Sequence, residues 1–114
     1  MVRLYKEQFG RGPEHVSTHY GGPDTILSLL TNSLSPVERS MRTIGEQARL
    51  RDIRTMFQYA TEQQFRDAVE QATGRRVVAF MSGIDVEHDV SCEVFTLAPA
   101  PPETRAVAPA RAEV

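Results

Sequence analysis

Leu34-Ser35-Pro36-Val37-Glu38 is the stretch that organises this chain. Ser35 offers a side-chain oxygen to the orphan N–H groups of a first helical turn, and Pro36 suits the first helical position. Glu38 stands three residues after the cap, where its carboxylate can return to the cap's own N–H. A helix starts here. Upstream, His15-Val16-Ser17-Thr18-His19-Tyr20 alternates with period two, Gly21-Gly22-Pro23-Asp24 supplies turn residues, and Thr25 to Leu30 is a second β-rich run. Together they predict a β-hairpin. Downstream, Leu34, Val37, Met41, Ile44 and Ala48 recur at spacings of three and four. Ile53, Phe57, Ala60, Phe65, Ala68, Val69 and Ala72 carry the stripe onward, with Thr61 and Gln64 weakening it midway. Gly45 predicts a break between a shorter and a longer helix. Gly74 predicts a left-handed stop, with Arg75 and Arg76 just past the negative end of the dipole.

Val77 to Met81 is another strand-like run, Ser82 to Asp89 a polar connection, and Val90 to Leu97 a last strand. At the other end, Val2, Tyr5 and Phe9 space a short amphipathic helix over Met1–Phe9, stopped by Gly10 and Gly12-Pro13. The order α-β-β-α-α-β-β predicts an α+β fold: a four-stranded antiparallel sheet with helices on one face, its strand order left open. Pro99 to Val114 holds four of the seven prolines and five alanines. Such a segment buries too little to offset its ordering entropy, so a disordered tail is expected after a single domain spanning 1–98.

The chain has 114 residues, 40% of them hydrophobic and 25% charged, with a net charge of −2. That balance argues against a broadly basic nucleic-acid binder. One cysteine, Cys92, cannot bridge internally, which suits a cytoplasmic setting. No apolar run reaches the roughly 18–20 residues of a membrane helix, and no signal-peptide core is evident. His15 and His19 share a strand face, but about 13 Å apart they are too distant to hold one ion, so they read as surface histidines. Asp85, Glu87 and Asp89 mimic the start of a calcium loop. Val90 and Thr96, however, occupy its Gly and Glu positions, which leaves a solvated acidic turn. Cys92 alternates with Val90 and Val94 and reads as a buried small hydrophobe. No metal site and no cofactor are expected.

Arg39, Arg42, Arg49, Arg51 and Arg54 crowd one segment, but acids match them from Pro36 to Thr73, and Arg42, Glu46 and Arg49 are spaced for helical ion pairs. A salt-bridged, solvated face is the expectation. No nucleophile–base order and no carboxylate pair in an apolar setting occur, so the reading is a non-enzymatic interaction or regulatory module. The alternative is a domain that binds a small anion such as a phosphate, nucleotide or carboxylate. Arg11, set between two glycines, with Arg54 and Arg75 would be its guanidinium forks.

Several pieces together carry a family resemblance: Phe9-Gly10-Arg11-Gly12-Pro13, the Leu34–Glu38 helix start, Val69-Glu70-Gln71-Ala72-Thr73-Gly74-Arg75-Arg76-Val77, and Glu93-Val94-Phe95-Thr96-Leu97. The chain resembles the MpsC-like family over about residues 1–97, with Ser35 where that family commonly has Thr. The resemblance implies a small bacterial cytoplasmic protein, tied by name to a Na⁺-translocating, membrane-potential-generating or inorganic-carbon transport system. It brings no catalytic residues. Without a membrane span such a chain cannot itself move Na⁺, so a role as an accessory subunit of a membrane transport complex is implied.

Assembly can also be read from the pattern. Val90, Cys92 and Val94 occupy one face of the last strand and Phe95 and Leu97 the other, while Val77, Ala79 and Met81 oppose Val78 and Phe80 in the strand before it. Both faces of this hairpin are partly apolar, and helices can cover only one. A homodimer is expected, symmetric about the uncovered sheet face or the N-terminal helix.

Overall fold

The computed structural model describes residues 13–99. The first hairpin is β1 (His15–Tyr20) and β2 (Thr25–Thr31), and the turn between them is closed by the Gly21 N–H donating to Thr25 O at 2.8 Å. Three helices follow: α1 (Pro36–Thr43), α2 (Gln47–Ala60) and α3 (Glu62–Thr73). The second hairpin is β3 (Val77–Asp85) and β4 (Val90–Leu97). The strand order is β1-β2-β4-β3, antiparallel throughout, so the last strand enters the middle of the sheet. The expected α+β architecture is what the chain adopts. The expected N-terminal helix, the loop with Arg11 and the tail from Ala100 onward lie outside the described residues.

The capping box forms as read: Ser35 Oγ accepts from the Glu38 N–H at 3.2 Å and Glu38 Oε1 accepts from the Ser35 N–H at 2.8 Å. Gly45 does break the helical segment, at φ 85°. The longer helix is broken a second time at Thr61, whose hydroxyl turns back to donate to Phe57 O at 2.8 Å, a local bond that competes with the helix ladder. Gly74 stops α3 at φ 68°.

Three expectations about faces are corrected. The second hairpin's β3 runs on to Asp85, because Ser82 to Asp85 pair with β4 as far as Val90, leaving only Val86 to Asp89 as connection. A register shift between Val77 and Ala79 lets Val77 and Phe80 both turn toward the helices, while Val78 points out and Met81 lies on the opposite face. A bulge inserts one residue and so reverses the alternation that the sequence suggests. Cys92 is half-exposed rather than buried, because the helix-facing residues of β4 are Ser91, Glu93, Phe95 and Leu97.

The apolar core is built where α3 crosses the sheet. Phe65 and Val69 pack with Ile26, Leu30, Phe80 and Phe95, and the Phe65 and Phe80 rings stack at 5.9 Å. A second cluster, Leu34, Leu50 and Val86, sits under the α1–α2 corner.

Candidate functional site

The 3–4 stripe of α1 and α2 predicts a buried apolar face, and the structure keeps only part of it: Leu34 is fully buried and Met41 packs against the Leu34–Leu50–Val86 cluster. No residue of α1 is buried, and Val37 and Ile44 are 72% and 74% exposed. Apart from Met41, the side of α1 turned toward the fold is polar. Glu38 pairs with Arg54, the Arg42 guanidinium donates to the backbone oxygens of Val86 and Glu87 at 3.3 Å, and Arg39 donates to Leu34 O at 2.8 Å. In α2 the buried stripe is Leu50, Arg54 and Gln58, not Ala48, Phe57 and Ala60. Met56 on its outer side is 60% exposed. The solvated arginine face is therefore half right. Arg49 does pair with Glu46 at 3.3 Å and is exposed, but Arg42 is spent on the β3–β4 connection and Arg54 is 2% exposed.

A polar seam thus lies between α2 and the sheet. The Arg54 guanidinium donates from Nε to Glu38 Oε2 at 2.5 Å, and from Nη2 to Glu38 Oε1 at 2.7 Å and Ser33 O at 3.0 Å. Gln58 Nε2 donates to Glu93 Oε1 on the central strand β4, and Glu93 is fully buried. Thr18 and Ser28 join hydroxyls at 2.9 Å across β1 and β2. Burial alone would raise the Glu38 carboxyl, but hydrogen bonds from Arg54 and the Ser35 N–H, with the Arg54 charge, outweigh it and hold it below its ordinary value. A narrow crevice with only about 10 Å³ of free space opens onto this seam beside Arg54, Gln58, Ser82 and Ser91.

The acidic turn is likewise not simply solvated. Asp89, with φ 53°, is buried, and its two carboxylate oxygens accept from the N–H groups of Ser33 at 2.9 Å and Leu34 at 3.2 Å. The short spacing of acids in the sequence reflects one structural clamp on the β2–α1 corner. Asp85 holds the His88 N–H and ring, and those bonds lower its pKa. His15 and His19 are exposed as read, and among the described residues no group of three metal-ligating side chains comes together.

Arg54 and Arg75 are not brought together. Arg54 lies past the C-terminal end of β2, on Ser33, whereas Arg75 lies at its start. There the Arg75 guanidinium donates to Pro23 O at 2.7 Å, Asp24 Oδ1 at 2.5 Å and Ala98 O at 2.7 Å, bracing the hairpin turn against the end of β4. Arg11 lies outside the described residues.

Among the described residues two outward apolar surfaces bear on function. One is the α1 ridge. The other is the sheet face away from the helices, where Leu27, Val94 and Met81 align across three strands and Leu29 pairs with Cys92 beneath them. The edge beyond it at β3 is held at two points: the Ser82 N–H donates to the Tyr59 hydroxyl, and at Val77 the N–H donates to Glu70 while Arg66 donates to the O.

A family match fits this outward-facing chemistry: residues 1–99 match the family described as MpsC, Na⁺-translocating membrane potential-generating system. The chain belongs to the MpsC family. No curated protein and no solved structure matches this MpsC-family chain. Among its described residues no helix is long and apolar enough to cross a membrane. The family description associates the chain with a Na⁺-translocating, membrane-potential-generating system.

Proposed function

We propose that this MpsC-family chain is a non-enzymatic accessory or regulatory module, cytoplasmic in location. It docks on a membrane subunit of a Na⁺ or inorganic-carbon transport system and associates with a second copy of itself. The observation that carries the reading is α1, which holds the fold through Glu38, Arg39 and Arg42 and turns Val37 and Ile44 to solvent. A helix that faces its own domain with polar side chains and a single apolar contact, Met41, leaves Val37 and Ile44 for another surface. Exposed Arg49 and Arg51 on the following helix suit a partner groove bordered by carboxylates. The alternative, an anion site made by Arg11, Arg54 and Arg75, draws no support from placement, since Arg54 and Arg75 stand at opposite ends of β2 on protein oxygens.

The test is affinity purification of the tagged chain at native expression from detergent-solubilised bacterial membranes, beside Val37→Glu/Ile44→Glu. A membrane-embedded ion- or bicarbonate-transport subunit should co-purify with the first and be lost with the second, whose circular dichroism stays native. Recovery of no such subunit would overturn the docking reading.

A further inference from the structure

We propose that the open sheet face is where two copies of this chain meet, packed face to face with the two-fold axis running along the strands. The proposal rests on the self-association put forward above and adds the surface and its register. The centre of this face is apolar and partly uncovered: Leu29 is 39% and Met81 52% exposed, with Leu27, Cys92 and Val94 half-buried between them. Two of its ionisable groups stand at the corners of one row, the His15 ring 3.5 Å from Glu14 and the Asp85 carboxylate on the His88 ring, and His19 lies two rows along the same face of β1. His15 on β1, Thr31 on β2, Val90 on β4 and Asp85 on β3 are in register, so a histidine marks one edge of the sheet and a carboxylate the other.

That row makes the face self-complementary in one orientation. A two-fold axis along the strands lays β1 over β3 of the second copy and β2 over β4, with rows kept level. His15 of each copy then faces Asp85 of the other, twice, and the Leu27–Leu29 ridge of each β2 lies on the Val94–Cys92 ridge of the facing β4. An axis across the strands would instead put β1 on β1, histidine against histidine, and leave both Asp85 carboxylates without a basic neighbour from the other copy. Aligned sheets pack about 10 Å apart, which two layers of Leu, Val and Met side chains fill. Four strands about 4.8 Å apart and six residues long present roughly 400 Å² in projection. Side-chain relief brings the two copies to about 1,000 Å² buried in total, the lower end for a specific interface, so a micromolar dimer is expected. At the β3 edge Tyr59, Arg66 and Glu70 already hold the backbone groups of Val77 and Ser82, which hinders strand addition there.

Sedimentation velocity on the full chain from about 1 to 200 μM tests the surface. The wild-type chain should pass from monomer to dimer over this range, and Leu29→Arg should weaken the dimer at least 100-fold without moving the melting temperature of the monomer. Register is read separately by mixing His15→Cys/Cys92→Ala with Asp85→Cys/Cys92→Ala and adding a bis-maleimide of about 10 Å reach. A cross-linked dimer should form in the mixture and far less in either variant alone. A wild-type chain still monomeric at 200 μM overturns self-association itself. A dimer that survives Leu29→Arg overturns this face while leaving self-association standing, and equal cross-linking of each variant alone overturns the axis.

Discussion

Arg54 separates a structural guanidinium from a ligand-binding one, and replacing it by Met is the informative perturbation. The side chain is 2% exposed, grips both Glu38 oxygens at 2.5 and 2.7 Å and caps Ser33 O at 3.0 Å. Removing one partner of such a pair strands the other's charge in a partly desolvated site, which typically costs 3–5 kcal/mol. For a domain of this size about 1 kcal/mol moves the melting temperature by 4–8 °C, so Arg54→Met should lower it by roughly 12–40 °C. Lys keeps the charge but cannot make the two-pronged contact, and Arg54→Lys should fall between. In Arg54→Met/Glu38→Met no charge is stranded, so the double variant should recover most of the loss. Thermal melts followed by circular dichroism give all four values. An Arg54→Met melt within about 2 °C of wild type would refute the brace and restore Arg54 as a residue kept for a ligand.

The same carboxylate sets a pH dependence. Because Glu38 is held below its ordinary value of 4.5, its stabilisation is complete above that pH and drains away as the pH falls through the lower folded value. The melting-temperature gap between wild type and Glu38→Gln should therefore shrink steadily below about pH 4.5. Ser35→Ala removes the acceptor for the Glu38 N–H and should cost about 1 kcal/mol in urea unfolding, with the slope unchanged. Asp89→Ala leaves the buried N–H groups of Ser33 and Leu34 without their acceptor, and should cost about 2–3 kcal/mol in the same assay. Cys92 should alkylate slowly at pH 7.5, since burial and then the neighbouring Glu93 push its thiol above the ordinary range. A rate matching a free thiol would contradict that environment.

Local chemistry was sufficient wherever one residue type answers one backbone need. Ser35 and Glu38 cap α1, Gly45 and Gly74 take positive φ at helix ends, and Gly21-Gly22-Pro23-Asp24 turns the first hairpin. From these and the two periods of hydrophobicity, the α+β class and the element order follow, because they depend on contacts only a few residues apart. The candidate surfaces do not. That Val37 and Ile44 of the 3–4 stripe face out, while Leu34 and Met41 face in, depends on Arg54, sixteen residues from Glu38, offering that carboxylate a partner from the sheet side. Which face of β3 holds Phe80 depends on the bulge at Val77/Ala79, set by pairing with Leu97 and Thr96. Asp89 looks like one more acid in a solvated turn until the corner at Ser33 and Leu34 folds over it. Periodicity marks that a helix has two unlike sides. It is the charge buried opposite, brought there by the tertiary fold, that decides which side the protein keeps for itself.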